Sequence, residues 1–209
     1  MLQRHFKEMD KITKKKIGLA ISVIIFGVLF RIFLVKVVGI PNFEAITALS
    51  LVSGSFLGGV FAPIVPLTIV FLSDIYFGNI LVYLFTWTAF ILVGIFGVFF
   101  KKNSKYYFLK ITGGGVLSVL FFYLWTNFGW WLTTEMYEMT IQGLIKCYIA
   151  GLPFLKNQLF SVLIFAPAFS LIFSLVSDKL LSGEKFVKRA EKTEQNRPRK
   201  LYENFTYLS

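Results

Sequence analysis

Four formal charges stand in stretches that are otherwise apolar: Arg31, Lys36, Glu44 and Asp74. A charge at the centre of a bilayer-spanning helix costs about 2.5–3.5 kcal/mol on insertion scales, so one that persists faces a partner, a cavity or the interface. Arginine offers a planar fork of donors to a carboxylate or phosphate, whereas an ionised carboxylate only accepts. The amides Asn42, Asn127 and Asn157 and the pair Trp130-Trp131 fall near the same ends of the apolar runs. Arg31, Asn42, Glu44, Asp74, Asn127, Trp130, Trp131 and Asn157 therefore have the chemistry of a binding site for a small polar or zwitterionic molecule. Arg31 would meet an anionic group, Glu44 or Asp74 a cationic or hydroxyl group, the asparagines an amide, and the tryptophans an aromatic face. A structural reading uses the same residues differently. Lys36 snorkels to the interface, Arg31 pairs with Glu44 or Asp74 to lock helices, and the tryptophans form an interfacial belt. Glu44 and Asp74 as a proton-carrying pair would instead suit a standalone carrier.

Catalytic chemistry is nearly absent. His5, the single histidine, belongs to the basic N-terminus, so no Ser–His or Cys–His pair forms within the apolar body. Ser53-Gly54-Ser55 resembles part of a serine-hydrolase elbow, but it lies mid-helix without a base and reads as small-residue helix packing. Gly113-Gly114-Gly115 lacks the Lys-Ser/Thr of a phosphate loop. Cys147 is a lone thiol, which excludes an internal disulfide and reads as a packing residue. We expect no enzyme activity, no metal and no cofactor.

The elements that must position these side chains follow from composition. Of 209 residues 56% are hydrophobic, 18% aromatic and only 16% charged. Soluble domains run near 45–50% apolar and about 25% charged, so a polytopic membrane protein is expected. Six apolar runs appear, at about 17–38, 43–58, 60–77, 79–100, 111–131 and 157–176, the second and third joined by Gly58-Gly59. The predicted fold is an all-α bundle of six transmembrane helices. Its divisions are a basic N-terminus at 1–16, a transmembrane domain at 17–178 and a basic, disordered tail at 179–209.

Of the 22 Lys and Arg residues, 18 fall in the N-terminus, the loop after the fourth run and the tail. Six helices put all three regions on one side, so both termini are expected in the cytoplasm. The net charge of +11 thus sets topology and does not point to nucleic acid. This topology brings the polar residues above to the outer half of the bundle. Between the fifth and sixth runs, Ile141, Leu144, Ile145 and Tyr148 follow helical spacing up to Gly151-Leu152-Pro153. They predict a short amphipathic outer helix placed as a lid. No internal repeat of the kind found in secondary carriers is visible.

Several motifs carry a resemblance. Pro41-Asn42-Phe43 is followed by Ala45, Ala48 and Leu49, and Pro66-Leu67 by Leu72-Ser73-Asp74 and Gly78. Further on stand Asn127-Phe128-Gly129-x-Trp131 and Gly143-Leu144-x-x-Cys147-Tyr148-x-Ala150-x-x-Pro153-Phe154-x-x-Asn157. Over about 31–163 the chain resembles an uncharacterised bacterial family of small membrane transport proteins. That family is similar to the substrate-binding S components of energy-coupling-factor (ECF) transporters. The resemblance implies an inner-membrane subunit that captures a small nutrient or vitamin-like molecule outside. A separate transmembrane coupling protein and cytosolic ATPases would then drive uptake. S components commonly dock through small residues spaced by four on the first helix, a pattern approximated here by Gly18 and Ser22. A structural or assembly protein and a proton-coupled carrier are the alternatives.

Overall fold

A computed structural model describes residues 2–78 and 82–180, with backbone alone for 2–9, 11 and 177–180. Every regular element among the described residues is helical. α1 (Leu2–Phe33) continues into a π-helical turn at Leu34–Val38. It is followed by α2 (Ile46–Leu57), α3 (Phe61–Phe77), α4 (Tyr83–Gly97), α5 (Tyr107–Thr133) and α6 (Ile141–Leu180). The expected start of the fourth span at Asn79 and the tail beyond 180 lie outside the described residues. The basic stretch before Ile17 is the first part of α1.

Among the described residues, three helices are long and apolar enough to cross a membrane, at Ile12–Val38, Tyr107–Thr133 and Ile141–Val176. The others are apolar but short. With 12, 17 and 15 residues, α2, α3 and α4 measure about 18, 26 and 23 Å, below the ~30 Å of a hydrocarbon core. α2 is the hub and touches all five other helices. Ten of its 12 residues are buried. A helix so enclosed needs its polar groups satisfied internally. The Ser50 hydroxyl accordingly donates to the Ile46 carbonyl at 2.7 Å and the Ser53 hydroxyl to the Ser50 carbonyl at 3.0 Å.

Small residues let the backbones meet. A Cβ at Gly54 would collide with the Gly94 carbonyl, one at Gly94 with the Ala62 carbonyl, and one at Gly97 with the Leu51 carbonyl. The Ser53-Gly54-Ser55 stretch is thus a packing surface joining α2 to α4, with α3 held to the same spot. The turn between α2 and α3 falls where expected, with Gly58 and Gly59 at φ 61° and 52°, a region that favours glycine. α1 lies along α3, where a Cβ at Gly27 would stand 2.6 Å from Ile69 Cδ1. Aromatic edges join α1 to α6, with Phe30 and Phe165 ring centres 5.5 Å apart.

One expectation is corrected. No separate amphipathic helix ends at Pro153, because α6 runs unbroken through both Pro153 and Pro167. Proline removes one ladder bond, yet packing on either side of Pro153 keeps the helix continuous through it. Upstream, the Gly143–Cys147–Gly151 stripe seats against α5 and the preceding turn. Cys147 Sγ lies 3.4 Å from the Asn127 carbonyl, and a Cβ at Gly151 would come 2.5 Å from Asn127 Oδ1. Downstream, Asn157 and Gln158 are bonded to the segment before α2 and to α2 itself.

Candidate ligand-binding cavity

Because α2 is short and central, its first turn forms the floor of a cup walled by longer helices. The cavity is about 750 Å³ and is lined from the end of α1, the 39–46 segment and the starts of α4 and α6, with the end of α5 completing the wall. Pockets that enclose small ligands run roughly 300–1,000 Å³. Its walls are largely apolar, with Leu34, Phe43, Phe90, Phe122, Trp130 and Phe154 supplying most of the bulk.

The acidic and basic side chains fall into two groups. At the floor, the Glu44 carboxylate caps α2. It accepts from the Ile46 amide, from the Thr47 amide at 3.0 Å, from the Thr47 hydroxyl at 2.5 Å and from the Gln158 amide at 3.1 Å. Four donors match the roughly four lone-pair sites of an ionised carboxylate. The positive end of the α2 dipole adds to this, since an acid at a helix start is stabilised there. Glu44 is therefore consumed by the fold, and of the two acids expected as partners for Arg31 it is not the one used.

On the α1 wall, Arg31 pairs with Asp74 of α3, Nη1 to Oδ1 at 2.6 Å, and the two side chains are 23% and 5% exposed. The same Nη1 reaches Ser73 Oγ at 2.5 Å and the Val70 carbonyl at 3.4 Å. Asp74 Oδ2 accepts from Trp87 Nε1 of α4 at 2.7 Å, and the Phe77 ring lies under the guanidinium at 5.6 Å. One ion pair thus ties α1, α3 and α4 together. Lys36 is exposed and sits over the Tyr76 ring at 5.8 Å, as a snorkelling lysine does.

Of the eight residues singled out for binding, Arg31, Asn42, Glu44, Asn127 and Trp130 line the cavity. The others do not. Asp74 is behind Arg31, Asn157 Nδ2 donates to the Pro41 carbonyl at 2.9 Å, and Trp131 Nε1 donates to the Glu138 carbonyl at 2.9 Å. Asn42, at φ 55°, takes the left-handed conformation of the turn before α2. The residues read as a lid, Ile141, Leu144, Ile145 and Tyr148, also do not line it. Ile141 and Ile145 are exposed, and the cavity face of α6 is Cys147, Ala150, Gly151 and Phe154. Gly18 and Ser22 are exposed on α1, and nothing approaches the Cα of Gly18 closely enough to meet a Cβ. No group of three His, Cys, Asp or Glu able to hold a metal occurs among the described residues.

Sequence reasoning missed Gln158, Thr86, Tyr123 and Thr126, all of which line the cavity. Gln158 is 1% exposed and bridges Glu44 to Thr47, with its amide 3.4 Å from Thr47 Oγ1. An amide one residue after Asn157 in an apolar run was a signal available in the sequence. No curated protein and no solved structure matches the chain. Residues 11–187 match the model of DUF6580, a family of unknown function, and the chain belongs to that family.

Proposed function

We propose that this chain is a six-span protein of the bacterial inner membrane, both termini cytoplasmic, that binds a small molecule from outside in the cavity. In this reading it is a non-enzymatic, S-component-like subunit that passes its ligand to a coupling protein and ATPases. The cavity itself carries the reading: its size suits one small ligand, and its largely apolar lining includes a few polar side chains, Arg31 among them. The one-sided distribution of Lys and Arg supports the orientation, since 18 of 22 fall on what would be the cytoplasmic side. The exposed Gly18 and Ser22 support a docking face on α1.

The Arg31–Asp74 pair favours a second reading for those two residues alone. Engaged at both Asp74 oxygens and shared among three helices, it serves as a lock between helices. A wholly structural protein would have that lock and no ligand. Purification from native membranes in mild detergent separates the readings. Recovery with a transmembrane coupling protein and ATPases supports the uptake subunit. Uptake by proteoliposomes holding this protein alone would replace it with the standalone carrier.

A further inference from the structure

The ligand's chemical class follows from which hydrogen-bonding groups of the cavity are already committed, and this rests on the cavity reading above. Both acids are spent: Glu44 has four donors, and Asp74 faces Arg31 and Trp87. Neither is left to hold a cation. Arg31 is only half used. All its bonds run from Nη1, so Nε–H and both Nη2–H groups have no acceptor among the described residues, and Arg31 lines the cavity. That edge of a guanidinium is the one that receives a carboxylate or phosphate in bidentate fashion. Asp74 and the Phe77 ring hold it in place before any ligand arrives.

Lining residues on α4 and α5 have the complementary chemistry. The Thr86 hydroxyl donates to the Tyr83 carbonyl at 3.0 Å and the Thr126 hydroxyl to the Phe122 carbonyl at 2.7 Å. Their oxygens are left to accept. Asn127 gives an amide hydrogen to the Tyr123 carbonyl at 2.8 Å, and no donor reaches its Oδ1 among the described residues. Most of the remaining lining is aliphatic and aromatic.

We propose that the cavity binds an organic anion with a ring-sized apolar body. Its acidic group sits on the Nε/Nη2 edge of Arg31, and its hydroxyl or N–H groups face the oxygens of Thr86, Thr126 and Asn127. The acidic group belongs either to a free organic acid or to a phospholipid headgroup, which share this chemistry.

Purified full-length protein in detergent, followed by thermal unfolding of its helical circular dichroism, tests the class. The probes are 4-hydroxybenzoate, 4-hydroxybenzylamine and 4-cresol, which share a ring and a hydroxyl and differ in charge. 4-Hydroxybenzoate is expected to raise the midpoint and the other two to leave it in place. Arg31→Lys keeps a charge opposite Asp74 but loses the planar edge, and is expected to weaken 4-hydroxybenzoate about tenfold. Thr126→Val, which leaves the ion pair untouched, should weaken 4-hydroxybenzoate more than benzoate. It keeps the test open if Arg31→Lys fails to fold. Added phosphatidylglycerol that abolishes the 4-hydroxybenzoate response assigns the site to a headgroup; an undiminished response assigns it to a free acid. Stabilisation by the amine or by cresol instead overturns the anion class while leaving a ligand cavity. No response to any probe overturns both.

Discussion

Arg31 and Asp74 form a largely buried pair whose value lies in being complete. Removing one member of such a pair leaves the other charge without compensation, at a cost of about 3–5 kcal/mol, whereas replacing both with apolar residues of similar volume is often close to neutral. Asp74→Asn and Arg31→Met should each lower thermal stability in detergent strongly, and Arg31→Met with Asp74→Leu should recover most of the loss. Equal, additive losses in the double variant would show that the two residues do not act as a pair. The sequence made both charges conspicuous, because any charge in an apolar run is. It did not disclose which acid Arg31 takes. Glu44 is withdrawn by a local effect, the capping of α2, that depends on where the helix starts to within one residue. Gln158 was hidden for a related reason. An uncharged amide stands out less than a charge in an apolar run, and the partner that satisfies it, Glu44, lies 114 positions away.

The elements are set by close approach at glycine. Gly94 stands where the backbones of α2, α3 and α4 converge, so Gly94→Leu forces backbone apart. It should cost at least the 1–3 kcal/mol typical of overpacking and lower the yield of monodisperse protein on size exclusion. Gly18→Leu meets open space and should leave stability unchanged, while reducing recovery of any partner docked on α1. A stable Gly94→Leu protein would contradict the three-helix contact. Helix positions were legible from apolar runs and from Gly58-Gly59. The continuity of α6 was not, since Gly151-Leu152-Pro153 has the local form of a helix stop. Contacts with α5 and with the segment before α2 override it, and these are tertiary. The same override explains the lid. The aliphatic spacing of Ile141 and Ile145 is real, but the face that seats on α5 is the small-residue stripe two residues on, near the opposite side of the helix.

At the scale of the whole molecule, a short central helix surrounded by longer ones leaves a cup, and the account depends on that cup facing outward and holding a ligand. Orientation is open to labelling. In a Cys147→Ser background, a cysteine at Lys105 should react with an impermeant reagent only after cells are broken, and one at Tyr137 should react in intact cells. The reverse order would invert the topology. Occupancy is the central claim, and Ala150 offers the most direct test because it lines the cavity and is exposed there. Ala150→Trp should fill the cup with little effect on the helical core. Mass spectrometry of small molecules released from gently purified protein is expected to find one compound near one per chain in the native protein. In Ala150→Trp of unchanged thermal stability it should be lost. An equal amount in both proteins, or none in either, would contradict the account.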